Sequence, residues 1–203
     1  MAVTSKATTK GERTRRRILA VVVELLEELS FADVSIAEIT RRAEVTRPAF
    51  YFHFPTKGAA VAAVLEELLE GFVEVAAAWY EHPGADPGAG VAEALEATVG
   101  LWRGNARLMD AIVRAAVADE EAAQLVAAWE EQLTERATDR LRRDIGGALP
   151  RSGPSVDALA RLLVGATFDA MRRDVRAIVE TGRPLPEVPE ALAHVWLSVV
   201  AVP

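Results

Sequence analysis

Residues 35–57 read SIAEITRRAEVTRPAFYFHFPTK, and this stretch predicts two short helices separated by a tight break. Ser35 and Glu38 have the S-x-x-E spacing of a capping box, which starts a helix by bonding its free amide groups. Apolar residues then recur at helical spacing on one face, and these are Ile36, Ile39 and Ala43. We therefore expect the first helix to end near residues 43–44.

The second half of the stretch predicts a helix with one buried face and one open face. Thr46 is a good helix cap, and Pro48 falls in the first turn, where its missing amide hydrogen costs nothing. Phe50 and Phe54 are four residues apart and are expected to face inward. The side chains left outside are Arg47, Tyr51 and Lys57. A short helix, a turn and a second helix with polar outer side chains are typical of helix-turn-helix DNA-binding segments.

The same residues resemble the TetR family of bacterial one-component repressors, whose pattern is roughly V-[ST]-x-[GP]-x-[LF]-Y-x-[HY]-F-x-[ST]-K. This chain has VTRPAFYFHFPTK at residues 45–57, and RPAFYFHFPTK is especially similar to the ethionamide-resistance repressor branch. The family usually has Gly where Ser30 and Glu44 stand. A non-glycine residue at positive φ costs on the order of 1 kcal/mol, so the turn at Glu44 is either slightly strained or shaped differently.

The resemblance implies a set of DNA-facing residues in the head. Arg47 is the strongest candidate for base reading, since a guanidinium can bond two acceptors of guanine. Tyr51 and Lys57 are expected to contact phosphate. For Phe52 two interpretations stay open, packing against the DNA backbone or completing the core of the head. The full predicted DNA-binding set is Ser35, Thr46, Arg47, Pro48, Ala49, Tyr51, His53 and Lys57.

Composition narrows the class of protein. The chain has 203 residues, is 51% hydrophobic and contains no cysteine, which excludes disulfides and thiolate metal sites. Its polar, basic N-terminus has no apolar signal segment, and no apolar run is long enough to span a membrane. We expect a cytoplasmic protein without a membrane partner, metal or cofactor.

The charge is unevenly distributed along the chain. Residues 1–57 hold ten Lys or Arg against seven Asp or Glu, which gives +3, while residues 58–203 hold thirteen against 23, which gives −10. The sum is the overall −7. A basic head on an acidic body is the distribution expected of a protein that presents one end to phosphates.

The periodicity of the whole chain predicts an all-α fold of about nine helices, the number found in the TetR family. Residues 1–10 are expected to be disordered, residues 1–57 to form the DNA-binding domain, and residues 58–203 a ligand-binding and dimerisation domain. A long connecting helix is expected to reach about Tyr80. Residues 82–90, HPGADPGAG, are expected to form a loop because they hold two Pro and three Gly.

The body is expected to bind a small apolar ligand rather than to catalyse a reaction. No nucleotide-binding, hydrolase or zinc-protease motif occurs. Large apolar side chains match, by approximate alignment, the region where the ethionamide-resistance repressor lines its pocket. The predicted pocket residues are Phe72, Trp102, Met109, Trp129, Thr167, Phe168 and Met171. Thr167 and Asp169 are the nearest polar candidates, since the asparagines of that repressor's pocket have no counterpart here.

The resemblance also implies a homodimer bound to double-stranded operator DNA, in which the last two helices of each chain pair across a two-fold axis. The predicted interface residues are Leu159, Leu163, Leu192, Val195, Trp196 and Val199. A small hydrophobic inducer would release this repressor from its operator. Two alternatives stay open, namely a helical ligand carrier or enzyme without DNA binding, and a DNA-binding regulator with a filled core and no inducer.

Overall fold

The computed structural model describes residues 9–75, 79, 87–145 and 153–200, and the side chains of Leu69, Phe72, Val73, Val75 and Pro87 lie outside this description. The described residues form nine α-helices and no strand, which confirms the predicted all-α class. In chain order they are α1 (Lys10–Glu28), α2 (Ile36–Arg42), α3 (Arg47–His53), α4 (Lys57–Val75), α5 (Pro87–Gly104), α6 (Ala106–Ala118), α7 (Glu120–Ile145), α8 (Val156–Thr181) and α9 (Val188–Val200).

The first helix begins earlier than the sequence pattern predicted. The hydroxyl of Thr9 accepts from the Glu12 amide, and the Glu12 carboxylate accepts from the Thr9 amide, which completes a capping box. Two orphan donors are thereby satisfied at once. Thr9 and Lys10 are therefore ordered, contrary to the prediction, while residues 1–8 lie outside the described residues.

The predicted loop at 82–90 is wrong in its last part, since α5 already begins at Pro87. A proline is well suited to the first helical position, where its fixed φ matches the helix and no hydrogen bond is lost. Gly90 follows in the helix, where a Cβ atom would lie 3.5 Å from Cδ1 of Trp79. This is an ordinary contact distance, so the start of α5 packs beside that ring. Residues 76–78 and 80–86 lie outside the described residues, so the predicted end of the connecting helix near Tyr80 does too.

The head is built from α1 to α3 together with the start of α4. α1 packs against α2 and α4, and α2 packs against α3. Its core is mostly apolar and includes Ile18, Leu25, Ile39, Phe50 and Phe54. The head also touches the body, because α1 contacts α6 and α4 contacts α7.

The body packs α5 to α9 around a second region of the same apolar core. A buried ion pair fastens three of its segments together. Arg103 on α5 donates to both carboxylate oxygens of Asp174 on α8 at 2.7 and 3.2 Å, and the Leu185 amide donates to the same carboxylate at 2.6 Å. Asp174 is fully buried, so these bonds compensate for the lost hydration of its charge. Within the described residues, no helix is both long enough and apolar enough to cross a membrane.

Candidate nucleic-acid interface and body cavity

The turn between α2 and α3 adopts the strained of the two predicted shapes. Glu44 has φ of +51°, and among the described residues it is the one non-glycine at positive φ. The turn is closed by the Glu44 amide donating to the Arg41 carbonyl at 3.3 Å and the Val45 amide donating to the Thr40 carbonyl at 3.0 Å. The guanidinium of Arg17 reaches the Glu44 carbonyl at 3.4 Å. Hydrogen bonds on both sides therefore hold Glu44 in a backbone conformation that is unfavourable for residues other than glycine.

α3 has the buried and open faces that its sequence predicts. The Thr46 hydroxyl accepts from the Ala49 amide at 3.3 Å and caps the helix. Phe50 and Phe54 are buried with ring centroids 5.9 Å apart, which anchors α3 on the head. Ala49 and His53 are half-buried, and the side chains open to solvent are Arg47, Pro48, Tyr51 and Phe52.

Phe52 is not part of the head core. Its side chain is 83% exposed, which decides against one of the two interpretations of this residue. Its ring meets the His53 ring edge-on, with centroids 5.1 Å apart and an interplanar angle of 87°.

Ser35 caps α2, but the predicted capping box is only half formed. The Ser35 hydroxyl accepts from the Glu38 amide at 3.2 Å, whereas the Glu38 carboxylate turns away to accept from Arg41 and Arg42. Arg42 also donates twice to Glu28 on α1. Bonds from Arg41 and Arg42 lower the pKa of Glu38 from 4.5 to about 2. Charge-assisted hydrogen bonds to two arginines are stronger than one bond to the neutral Ser35 amide, so the Glu38 carboxylate accepts from the arginines.

The Lys57 ammonium is engaged inside the head rather than free on its surface. It donates to the carbonyls of Phe31 at 2.8 Å, Val34 at 3.1 Å and Ala32 at 3.4 Å, and it lies 4.5 Å from the centroid of the Phe31 ring. These contacts were not predicted from the sequence, and the phosphate contact expected of Lys57 stays a prediction. The ammonium donates to three carbonyls of the loop between α1 and α2.

The arginines at the start of α1 lie near the recognition helix. A Cβ atom at Gly11 would be 3.9 Å from Cε1 of His53, so the first turn of α1 adjoins the end of α3. Arg15 pairs with Glu67 at 2.8 Å and lies over the Phe54 ring. Arg13, Arg16 and Arg17 stay exposed.

A small cavity of about 60 Å³ lies inside the body. Three of the predicted pocket residues line it, namely Trp102, Thr167 and Phe168. Its other walls include Trp79, Leu95, Thr98, Val164 and Trp196. The two hydroxyl groups on these walls and the indole N–H of Trp196 already have partners. The Thr167 hydroxyl accepts from Nε1 of Trp196 at 2.9 Å and donates to the Leu163 carbonyl at 2.8 Å, and the Thr98 hydroxyl donates to the Ala94 carbonyl at 2.8 Å.

A second cavity of about 250 Å³ shares Trp102 and Phe168 with the first as lining residues. Trp129 lines this second cavity, and its ring stacks on Trp102 with centroids 5.8 Å apart. Asp169 is on its wall and is bonded to Arg172 and Arg173.

Two other predicted pocket residues, Met109 and Met171, are fully buried in the core and are not among the residues that line either cavity. The side chain of Phe72 lies outside the described residues.

The predicted dimer residues divide into two groups. Leu163, Leu192 and Trp196 are buried in the chain's own core, which differs from the expectation that a single chain leaves them partly exposed. The reason is that α9 packs on α5 and α8 and turns these side chains inward. Leu159 and Val199 are half-buried and Val195 is 42% exposed. Leu162 on α8, which was expected at the interface as well, is 66% exposed.

The described helices and the α2–α3 segment define an all-helical protein with a helix-turn-helix domain. Known proteins of similar sequence and fold narrow the family to which this domain is similar. Residues 18–64 match the family described as bacterial regulatory proteins, tetR family. The HTH-type transcriptional regulator EthR of Mycolicibacterium smegmatis is 35% identical over 60 residues, which are 30% of this chain and 28% of that protein. The regulator of the same name from Mycobacterium tuberculosis is 35% identical over 68 residues, covering 30% of this chain and 32% of that protein. The matched part is thus about a third or less of these relatives.

Solved structures resemble the chain over nearly its full length. A putative TetR-family transcriptional regulator from Syntrophomonas wolfei superimposes with a TM-score of 0.79 at 18% identity, covering 94% of this chain and 97% of that one. SmeT, the repressor of the Stenotrophomonas maltophilia multidrug efflux pump SmeDEF, gives 0.71 at 20% identity, with 95% and 91% covered.

These findings confirm the predicted resemblance. Residues 18–64 match the helix-turn-helix domain of the tetR family and are similar to that of EthR, and the whole chain shares its fold with solved structures described as TetR-family regulators. The relatives and neighbours named above are regulators and not enzymes, which agrees with the prediction that this chain is not an enzyme.

Proposed function

We propose that this chain is a transcriptional regulator that binds double-stranded operator DNA as a homodimer and represses transcription. The observation that carries the proposal is α3. Its anchoring phenylalanines are buried, while Arg47, Pro48, Tyr51 and Phe52 are exposed to solvent. A helix so placed fits the major groove, where its side chains reach base edges.

The electrostatics of the molecule support this orientation. Exposed arginines of α1 lie beside α3, and the head carries +3 while the remainder carries −10. Arginine is suited to both tasks at such a surface, because its planar fork bonds phosphate or guanine with two hydrogen bonds. The acidic body favours approach of DNA to the head alone.

Arg47 provides the first test. With the DNA upstream of the chain's own gene, Arg47→Ala should weaken binding by roughly 1–3 kcal/mol and relax the preference at one base position. The measurement is a titration of labelled duplex followed by fluorescence anisotropy. Arg136→Ala is the matched control, since Arg136 is exposed on α7 in the body and the same charge is removed. Equal affinity of both variants and the wild type would contradict the placement of α3 on DNA, and absence of binding by the wild type would favour a ligand carrier.

We further propose that a small apolar molecule releases the regulator from DNA. The 60 Å³ cavity supports this proposal, because its walls are mostly apolar and the hydroxyls of Thr98 and Thr167 are already bonded within the chain. Its 60 Å³ is below the roughly 300–1,000 Å³ of ordinary small-molecule sites. A ligand must therefore favour a conformation with a wider cavity, and this differential affinity is what couples binding to a change of state.

The ligand hypothesis predicts which compounds stabilise the protein. Uncharged apolar esters, amides or aromatic compounds should raise the melting temperature, because they bind only the folded chain, and the same compounds should release the duplex. Sugars and charged analogues serve as controls. Compounds that raise the melting temperature and leave DNA affinity unchanged would contradict the switch and favour a regulator with no inducer.

A further inference from the structure

Phe52 is the large apolar side chain on the outer face of the recognition helix, and its chemistry differs from that of its neighbours. It is 83% exposed, against 53% for Tyr51. Single exposed apolar side chains are common on protein surfaces, so exposure alone assigns no role. The position on α3 adds the second observation. Arg47 and Tyr51 are four residues apart and form a polar row, and Pro48 and Phe52, also four apart, form an apolar row beside it.

We infer that Phe52 is a specificity-determining residue that packs against the C5-methyl group of a thymine in the operator. This inference rests on the proposed function and names a contact of the same surface. A phenyl ring has no hydrogen-bonding group, and among the base edges of the major groove the thymine methyl is the apolar one. The apolar row of α3 and the methyl group are therefore complementary, as the polar row is to guanine and phosphate.

The Phe52 ring contacts a neighbouring side chain of α3 in the free head. His53 is half-buried on the neighbouring side, and the Phe52 ring stands edge-on to it at 87°. A phenylalanine has only two side-chain torsions, so little freedom is lost when the contact forms. Because Phe52 takes no part in the head core, replacing it leaves the buried anchors Phe50 and Phe54 in place.

The experiment starts from the operator that the wild-type chain selects from a pool of random duplexes. Each thymine of that operator is replaced in turn by deoxyuridine, which lacks only the methyl group. For the wild type we expect at least one position in each half-site where the replacement weakens binding about fourfold, the effect of one buried methyl group. Phe52→Ala should bind the thymine and deoxyuridine duplexes equally, and Phe52→Leu should keep part of the difference. Equal melting temperatures of the three proteins show that the variants fold.

Two results would overturn the inference. If the wild type binds its operator and no deoxyuridine replacement weakens it, the ring does not read a methyl group, although the proposed function stands. The inference also fails if Phe52→Ala binds both duplexes more weakly by the same factor, so that the preference for thymine over deoxyuridine persists. The ring would then contact the sugar-phosphate backbone, and the proposed function would stand. A wild-type chain that selects no sequence would overturn the proposed function and this inference together.

Discussion

Glu44 occupies a backbone conformation that glycine adopts more readily. Its φ of +51° closes the turn that sets the angle between α2 and α3, so the orientation of the recognition helix depends on a strained residue. The cost is offset by the hydrogen bonds of the turn and by Arg17, whose guanidinium donates to the Glu44 carbonyl. Strain held in place by surrounding contacts is common at functional segments.

Glu44→Gly should therefore stabilise the head. We expect the free energy of unfolding to rise by up to about 1 kcal/mol, less a few tenths for the greater freedom of glycine in the unfolded chain. Urea denaturation measures this change. Glu24→Gly is the control of opposite sign, because Glu24 is exposed within α1, where glycine costs about 1 kcal/mol. If both substitutions destabilise the protein to the same extent, the strain at Glu44 is not what limits the turn.

Single residues were predicted from sequence with uneven success. The faces of α3 followed from the four-residue spacing of Phe50 and Phe54, because periodicity alone fixes which side of a helix is buried. The contacts of Lys57 could not be predicted in this way, because its ammonium donates to carbonyls of the loop after α1, more than twenty residues away in sequence. Nothing in the local pattern at Lys57 indicates that contact. Its role on DNA stays a prediction.

At the scale of the elements, α2 is held on α1 by a small ion-pair network. Arg42 donates to Glu28 on α1 and to Glu38 one turn back on α2, and Arg41 donates to Glu38 as well. These side chains are partly exposed, so each pair on its own contributes little. Together they give Glu38 two guanidinium partners, which is why its pKa falls to about 2.

The lowered pKa of Glu38 predicts how the head responds to acid. A carboxyl group whose pKa is lower in the folded chain stabilises it fully above the unfolded value of about 4.5 and loses that contribution as the pH falls toward about 2. The stability difference between the wild type and Glu38→Gln should thus be present at pH 6 and disappear near pH 2. Thermal unfolding across this range measures the difference. Glu27→Gln, exposed on α1, is the control and should show a smaller change with pH; an equal change would contradict the network.

The helices were predicted well where their ends carry side-chain signals. Ser35 and Thr46, which the sequence predicted as helix caps, accept from backbone amides in the first turns of α2 and α3. The start of α5 was missed because Pro87 and Gly88 are read as loop residues unless it is known that the helix packs on Trp79. Side-chain burial in the body was harder still. Trp196 was predicted to lie at a dimer interface. In the structure it lines the 60 Å³ cavity and donates a hydrogen bond to the Thr167 hydroxyl.

At the scale of the whole molecule, the account requires two heads at a fixed separation. Leu162 and Val195 project from α8 and α9 beside the half-buried Leu159 and Val199. Apolar side chains grouped in this way favour an interface with a second copy. We propose these four residues as the dimer surface in place of the buried Leu163, Leu192 and Trp196.

The head and body are also mechanically connected. A Cβ atom at Gly58, the second residue of α4, would overlap the Glu121 carboxylate at the start of α7. The connecting helix thus rests directly on a body helix, and α1 rests on α6. A movement of α6 or α7 in the body would therefore shift the head directly, which supports the proposed ligand response.

The measurement that tests the central claim most directly is footprinting of the selected operator by the wild type and by Leu162→Glu. The account predicts that the wild type protects two inverted half-sites about one helical turn apart. It predicts that Leu162→Glu, with a charge on the proposed dimer surface, remains folded but protects them only at much higher concentration. Protection of one undivided site by a wild-type monomer, or no protected sequence at all, would contradict the account.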